Sequence, residues 1–164
     1  MKPISEHIVD SAWQEMAGLE IDEIRAMVDK MSEEQPYVLV YLMAAGEEGF
    51  SDEEREILLY IGMVVWRIML QGDTPLPQVD EQMLDTAEAA NFEMLEALDR
   101  ESPGDFIAVA ENMLNQYNQL EVLKYIVEAI MEEGDDEEAI DIEEDNKGWM
   151  LIVLKTIVDC FDAN

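Results

Sequence analysis

Ile57-Leu58-Leu59-Tyr60-Ile61-Gly62-Met63-Val64-Val65-Trp66-Arg67-Ile68-Met69-Leu70 is the longest apolar run of the chain, interrupted only by Gly62 and Arg67. Fourteen residues are too few to span a bilayer as a helix, which takes about 20. The run reads instead as a buried central helix, packed in a core or at a subunit interface, which leaves a homo-oligomer open. Around it, apolar residues recur every three or four positions. Strict alternation is scarce and no Asn-Gly or Asp-Gly hairpin signal occurs. The fold class is therefore all-α, with about eight helices.

Upstream of the run, Ser51 opens the helix, with Asp52, Glu53 and Glu54 in its first turn, where carboxylates favour the helix dipole. Before it, Pro36 suits the first turn of a third helix that carries Tyr37, Val40, Tyr41 and Ala44 and is expected to end at Gly49. A second helix is predicted from Ile21 to Glu34, with Ile24, Met27, Val28 and Met31 on one face. The first is predicted from a Ser5 cap to about Ala17, stopping near Gly18. Downstream, Gly72-Asp73-Thr74-Pro75-Leu76-Pro77 cannot continue a helix. A fifth helix is expected over 80–99, and Ser102-Pro103-Gly104 forms a turn with Asp105 as candidate cap. The sixth is expected over 106–117, the seventh over 120–133 with Gly134 ending it, and the eighth over 147–161.

The two halves resemble each other. Ile4 to Ala12 aligns with Val79 to Ala87, Val38 to Leu42 with Val122 to Ile126, and Glu47-Glu48-Gly49 with Glu132-Glu133-Gly134. Apolar Tyr60 to Met69 matches Trp149 to Val158, and the blocks keep their order. The expected organisation is two tandem four-helix units, residues 1–72 and 79–164, joined by a Pro-rich linker at 73–78 and sharing a core as in a helical repeat or a bundle. The second unit carries an acidic loop at 132–145.

Charge is lopsided: 40 Asp and Glu against 9 Lys and Arg, a formal net charge of −31. Such a chain does not suit phosphate backbones or anionic lipid, so neither direct nucleic-acid nor membrane binding is expected. It suits basic proteins, divalent cations or polyamines. Residues 1–75 hold 16 acids and 5 bases, and residues 76–164 hold 24 and 4, so the excess is concentrated in the second half. Cys160 is alone, so no internal disulfide can form, and Met1 to His7 has no stretch of signal-peptide length; a cytoplasmic setting is the expectation.

Motifs for chemistry are sparse. There is no Gly-x-Gly-x-x-Gly, Walker or Gly-x-Ser-x-Gly pattern, and one histidine with one cysteine cannot build a zinc site of Cys and His ligands. No cofactor is expected. His7 reads as a surface residue, and Cys160, next to Asp159, as a small buried hydrophobe. The distinctive segment is 132–145, ten of whose fourteen residues are Asp or Glu, without the EF-hand spacing. Glu47-Glu48 and Glu132-Glu133 each precede a glycine expected to end a helix, where carboxylates oppose the dipole. The candidate partner-binding residues are thus Glu47, Glu48, Glu132, Glu133, Asp135, Asp136, Glu137, Glu138, Asp141, Glu143, Glu144 and Asp145. The leading expectation is a non-enzymatic interaction protein whose acidic face engages a basic protein surface, with nucleic-acid mimicry as a narrower version. Two alternatives stand beside it. One is a carboxylate-based metal protein or hydrolase, for which Asp10 and Asp85 are the nominated pair. The other is a helical scaffold whose charge serves solubility alone.

Overall fold

The computed structural model describes residues 1–101, 106–115, 117–132 and 142–163, with the side chains of 98–101, 106, 109 and 132 outside that description. Among these residues the chain is all-helical: α1 (Glu6–Ala17), α2 (Ile21–Glu34), α3 (Pro36–Ala44), α4 (Asp52–Met69), α5 (Glu81–Glu101), α6 (Phe106–Leu114), α7 (Leu120–Glu132) and α8 (Glu144–Phe161). None of the described helices is long and apolar enough to cross a membrane. The expected turn at Ser102-Pro103-Gly104 and the Asp105 cap lie outside the described residues.

The punctuation works through caps. Ser5 Oγ accepts from the Ile8 amide, and Asp80 Oδ1 accepts from the Met83 amide at 2.8 Å. Ser51 and Glu54 form a reciprocal capping box: Ser51 Oγ takes the Glu54 amide at 3.1 Å and Glu54 Oε1 takes the Ser51 amide at 2.9 Å. Buried Gln35, between α2 and α3, bonds the carbonyl of Pro77 and the amide of Val79, which pins the linker to the first half.

α4 and α8 pack against each other at the centre, and the other helices cover them. Ile57 to Met69 supplies nearly continuous buried side chains, as does Met150 to Phe161. Met63, Trp66 and Met69 are buried as the sequence implied, while Arg67 reaches out to Glu15 at 2.7 Å. A single apolar cluster contains side chains from both halves. Within each half the fourth helix packs on the first three: α4 on α1, α2 and α3, and α8 on α5, α6 and α7.

Two expectations need correction, and one open point is decided. First, α3 ends at Ala44, not Gly49. Gly46 already takes a positive φ of 81°, and the Phe50 ring lies where its Cβ would be, so the chain turns there. Glu47 and Glu48 therefore sit in the turn beyond the helix, and the dipole cost inferred for them does not arise. Secondly, the inward face of α3, which the sequence left open, is decided by packing. Val38, Leu39 and Leu42 are buried, while Tyr37, Val40 and Ala44 are exposed and Tyr41 is half-buried. All nine residues of α3 are apolar or aromatic, so periodicity could not select the inner face. Thirdly, α8 begins at Glu144, three residues before the expected start, so Glu144 and Asp145 are helical. Of the expected acidic loop over 132–145, Glu132 lies in α7 and Glu144 and Asp145 in α8, while residues 133–141 lie outside the described residues. The cause is long-range: Glu54 Oε2 accepts from the Glu143 amide and, at 3.0 Å, from Asn146 Nδ2. One carboxylate caps two helices.

Candidate functional site

The turn after α3 and the start of α8 meet. Asn146 Nδ2 donates to the Gly49 carbonyl at 3.2 Å, across a sequence separation of 97. This contact brings Glu47 and Glu48, next to Gly49, to the same end of the molecule as Glu143, Glu144 and Asp145, next to Asn146. All five are exposed. Of the other candidates, Glu133, Asp135, Asp136, Glu137, Glu138 and Asp141 lie outside the described residues, as does the side chain of Glu132.

α3 runs into this acidic corner. Its outward side chains are unusual for so charged a chain: Tyr37, Val40 and Met43 are 45%, 63% and 54% exposed. Beside Met43, a shallow groove of about 310 Å³ is lined by Leu42, Asp52, Glu56, Leu59 and Arg55, whose guanidinium bonds the Met43 carbonyl at 3.0 Å. Residues 33–56 hold eight acids (Glu33, Glu34, Glu47, Glu48, Asp52, Glu53, Glu54, Glu56) and one base, Arg55. Along the chain, the apolar ridge is thus flanked by exposed carboxylates, Glu54 alone of the eight being buried.

A buried polar network escaped the sequence reading. Lys155 is 7% exposed, on a helix whose buried side chains are otherwise nearly all apolar. Its Nζ donates to Asn91 Oδ1 at 2.7 Å and Asp159 Oδ2 at 2.9 Å, and lies 4.8 Å from the centre of the Tyr117 ring. Asn91 Nδ2 donates to Thr156 Oγ1 and to Asp159 Oδ2, and the Tyr117 hydroxyl donates to Asp159 Oδ1 at 2.5 Å. Burial and the Asp159 charge push the Tyr117 phenol well above its usual value. Both Asp159 oxygens and the Lys155 ammonium are thus engaged within the protein. The cluster is suited to locking α5, α8 and the α6–α7 connection together rather than to attacking a substrate. The legible signal was one lysine inside an apolar helix.

The remaining sequence candidates fall as follows. His7, Asp10 and Asp85 are exposed, and Asp10 takes the Trp13 indole N–H at 3.1 Å. Cys160 is buried, and its thiol is pushed up to about 12, first by burial and then by the charges of Asp159 and Asp80. Among the described residues no group of three or more His, Cys, Asp or Glu side chains could hold a metal ion. No family model, curated protein or solved structure matches this chain. The functional reading accordingly rests on its surfaces. Besides the α3 groove, these include an apolar groove of about 520 Å³ between α5 and α8, reached by Asp159 and Cys160 but not Lys155. A third recess, between α1, α4 and α7, is rich in aromatic rings.

Proposed function

We propose that the protein is a non-enzymatic interaction module that holds a basic protein segment against α3 and the acidic corner beyond it. The observation that supports this reading most directly is the exposed ridge of Tyr37, Val40 and Met43 on a helix whose flanking segments carry seven exposed acids and one base. A helix that is apolar all round is normally covered, and exposed apolar patches rimmed by polar groups mark interaction sites. The rim selects the partner. Lys or Arg flanking apolar anchors would meet the carboxylates, while a second copy of a chain of charge −31 would bring like charges together. The fitting occupant is an amphipathic basic helix, laid with its apolar face on the ridge. Nucleic-acid mimicry is the narrower version, in which the carboxylates stand in for phosphates.

A basic amphipathic peptide of about 20 residues tests this, with a scrambled peptide of equal composition as control. Calorimetry should show the scrambled peptide binding about tenfold more weakly or worse, since only the ordered one aligns anchors with the ridge. Val40→Ser with Met43→Gln should remove that difference. Glu47→Gln with Glu48→Gln should flatten the salt dependence of binding. Equal binding of both peptides would reduce the reading to charge alone. Binding of neither would end it. Duplex DNA should compete for the peptide if the carboxylates stand in for phosphates, and failure to compete would count against mimicry.

A further inference from the structure

We propose that the recess between α1, α4 and α7 binds an organic cation, an alkylammonium or guanidinium group. The recess encloses about 230 Å³. Each of the three helices contributes one aromatic ring to it: Trp13 from α1, Tyr60 from α4 and Tyr125 from α7. Two of them also contribute a carboxylate one turn from the ring, Asp10 three residues before Trp13 and Glu128 three residues after Tyr125. At that spacing, ring and carboxylate share a helix face and reach the same space.

The chemistry selects a cation. Aromatic faces attract ammonium and guanidinium groups through their quadrupole, and the attraction strengthens as water is excluded. The rings of Tyr60 and Tyr125 are half-buried, while Trp13, Asp10 and Glu128 are exposed, so the recess has aromatic walls and an acidic mouth. The Trp13 indole N–H donates to Asp10 Oδ1 at 3.1 Å, which holds that carboxylate beside the ring. No Lys or Arg among the described residues lines the recess. Among the described residues neither Asp10 nor Glu128 takes part in an ion pair, so no described cation neutralises the pair of acids. The volume falls below the range of about 300–1,000 Å³ usual for drug-sized ligands, and suits a single cationic head group. The field of a chain of charge −31 raises the local concentration of such cations.

This site shares no lining residue with the α3 ridge and its groove, and stands or falls separately from them. The cation has two sources that share this chemistry, a free small amine and a Lys or Arg side chain of a protein. Choline, Nα-acetyl-lysine methylamide and Nα-acetyl-arginine methylamide are the probes, with 3,3-dimethylbutan-1-ol as the neutral isostere of choline. They are titrated into the full chain at fixed ionic strength, following the indole N–H resonance of Trp13, assigned by its loss in Trp13→Phe. A saturable shift is expected, with the neutral isostere weaker by about tenfold or more. Glu128→Gln and Tyr125→Leu should each weaken the best cation about fivefold or more, with helical content unchanged by circular dichroism. Choline as the tightest probe would indicate a small quaternary amine, and the lysine or arginine compound a protein side chain. The inference is overturned if the shift is linear in probe and reproduced by sodium chloride. It is equally overturned if the neutral isostere binds as well as choline, or if Glu128→Gln and Tyr125→Leu both leave binding unchanged.

Discussion

Glu54, 4% exposed, is the one buried acid among the described side chains, and it remains ionised because donors surround it. Burial pushes its carboxyl up, but hydrogen bonds from Ser51, Asn146 and Glu143 outweigh burial and hold it below the usual carboxylate value. A depressed folded-state value contributes stability above the unfolded pKa of about 4.3 and loses it as pH falls through the folded value. Glu54→Gln keeps the shape but turns an N–H₂ toward donors, so it should cost about 1–3 kcal/mol in urea unfolding at pH 7. The gap to the unsubstituted protein should narrow below about pH 4, as Glu54 itself becomes protonated. Lys155 is the opposite case, a buried cation. Lys155→Met leaves Asp159, 28% exposed, with only Asn91 and Tyr117 as donors. A loss of about 1–3 kcal/mol is expected, below the figure for a fully buried pair because water still reaches the acid. Pairing it with Asp159→Leu should recover part of that loss, and a double-mutant cycle measures the coupling. Cys160, with its thiol near 12, should resist iodoacetamide at pH 8 in the folded protein and react readily once unfolded.

At the scale of an element, α3 decides the most, because its orientation creates the proposed docking ridge. Two substitutions on it measure which face is inward. Leu42→Ala should cost about 2–5 kcal/mol by leaving a cavity, and Val40→Ser should change stability by no more than about 0.5 kcal/mol. Similar losses at the two sites would mean that α3 is rotated relative to this structure. What allows α3 so close to α4 is Gly62. A Cβ there would stand 2.6 Å from a Leu42 methyl. Alanine improves helix propensity by about 1 kcal/mol, yet Gly62→Ala should lower the unfolding midpoint, because overpacking costs about 1–3 kcal/mol.

For the whole molecule, the question is how a charge of −31 coexists with a compact core. The described ion pairs are few and mostly exposed, so they offset little of the repulsion. Repulsion among surface carboxylates is screened within a Debye length of about 10 Å at 0.1 M salt. The thermal midpoint should therefore rise between about 0.01 and 0.5 M sodium chloride, and scanning calorimetry at the two concentrations checks it. A flat response would mean that the acids are spaced widely enough to ignore one another.

The all-helical class was legible in residues 57–70 and in the three- and four-residue spacing around them, because a buried stripe must repeat with the turn of the helix that carries it. Helix starts at Ser5, Pro36 and Ser51 were legible because capping is local chemistry. The inner face of α3 was not legible, since a helix apolar on every side carries no internal preference and its packing partners choose. Nor was the start of α8, which depends on a carboxylate 89 residues away. The Lys155 network and the ring-lined recess have the same origin. Each gathers side chains from helices far apart in the chain, and only the packing of those helices brings their charges and rings within reach of one another.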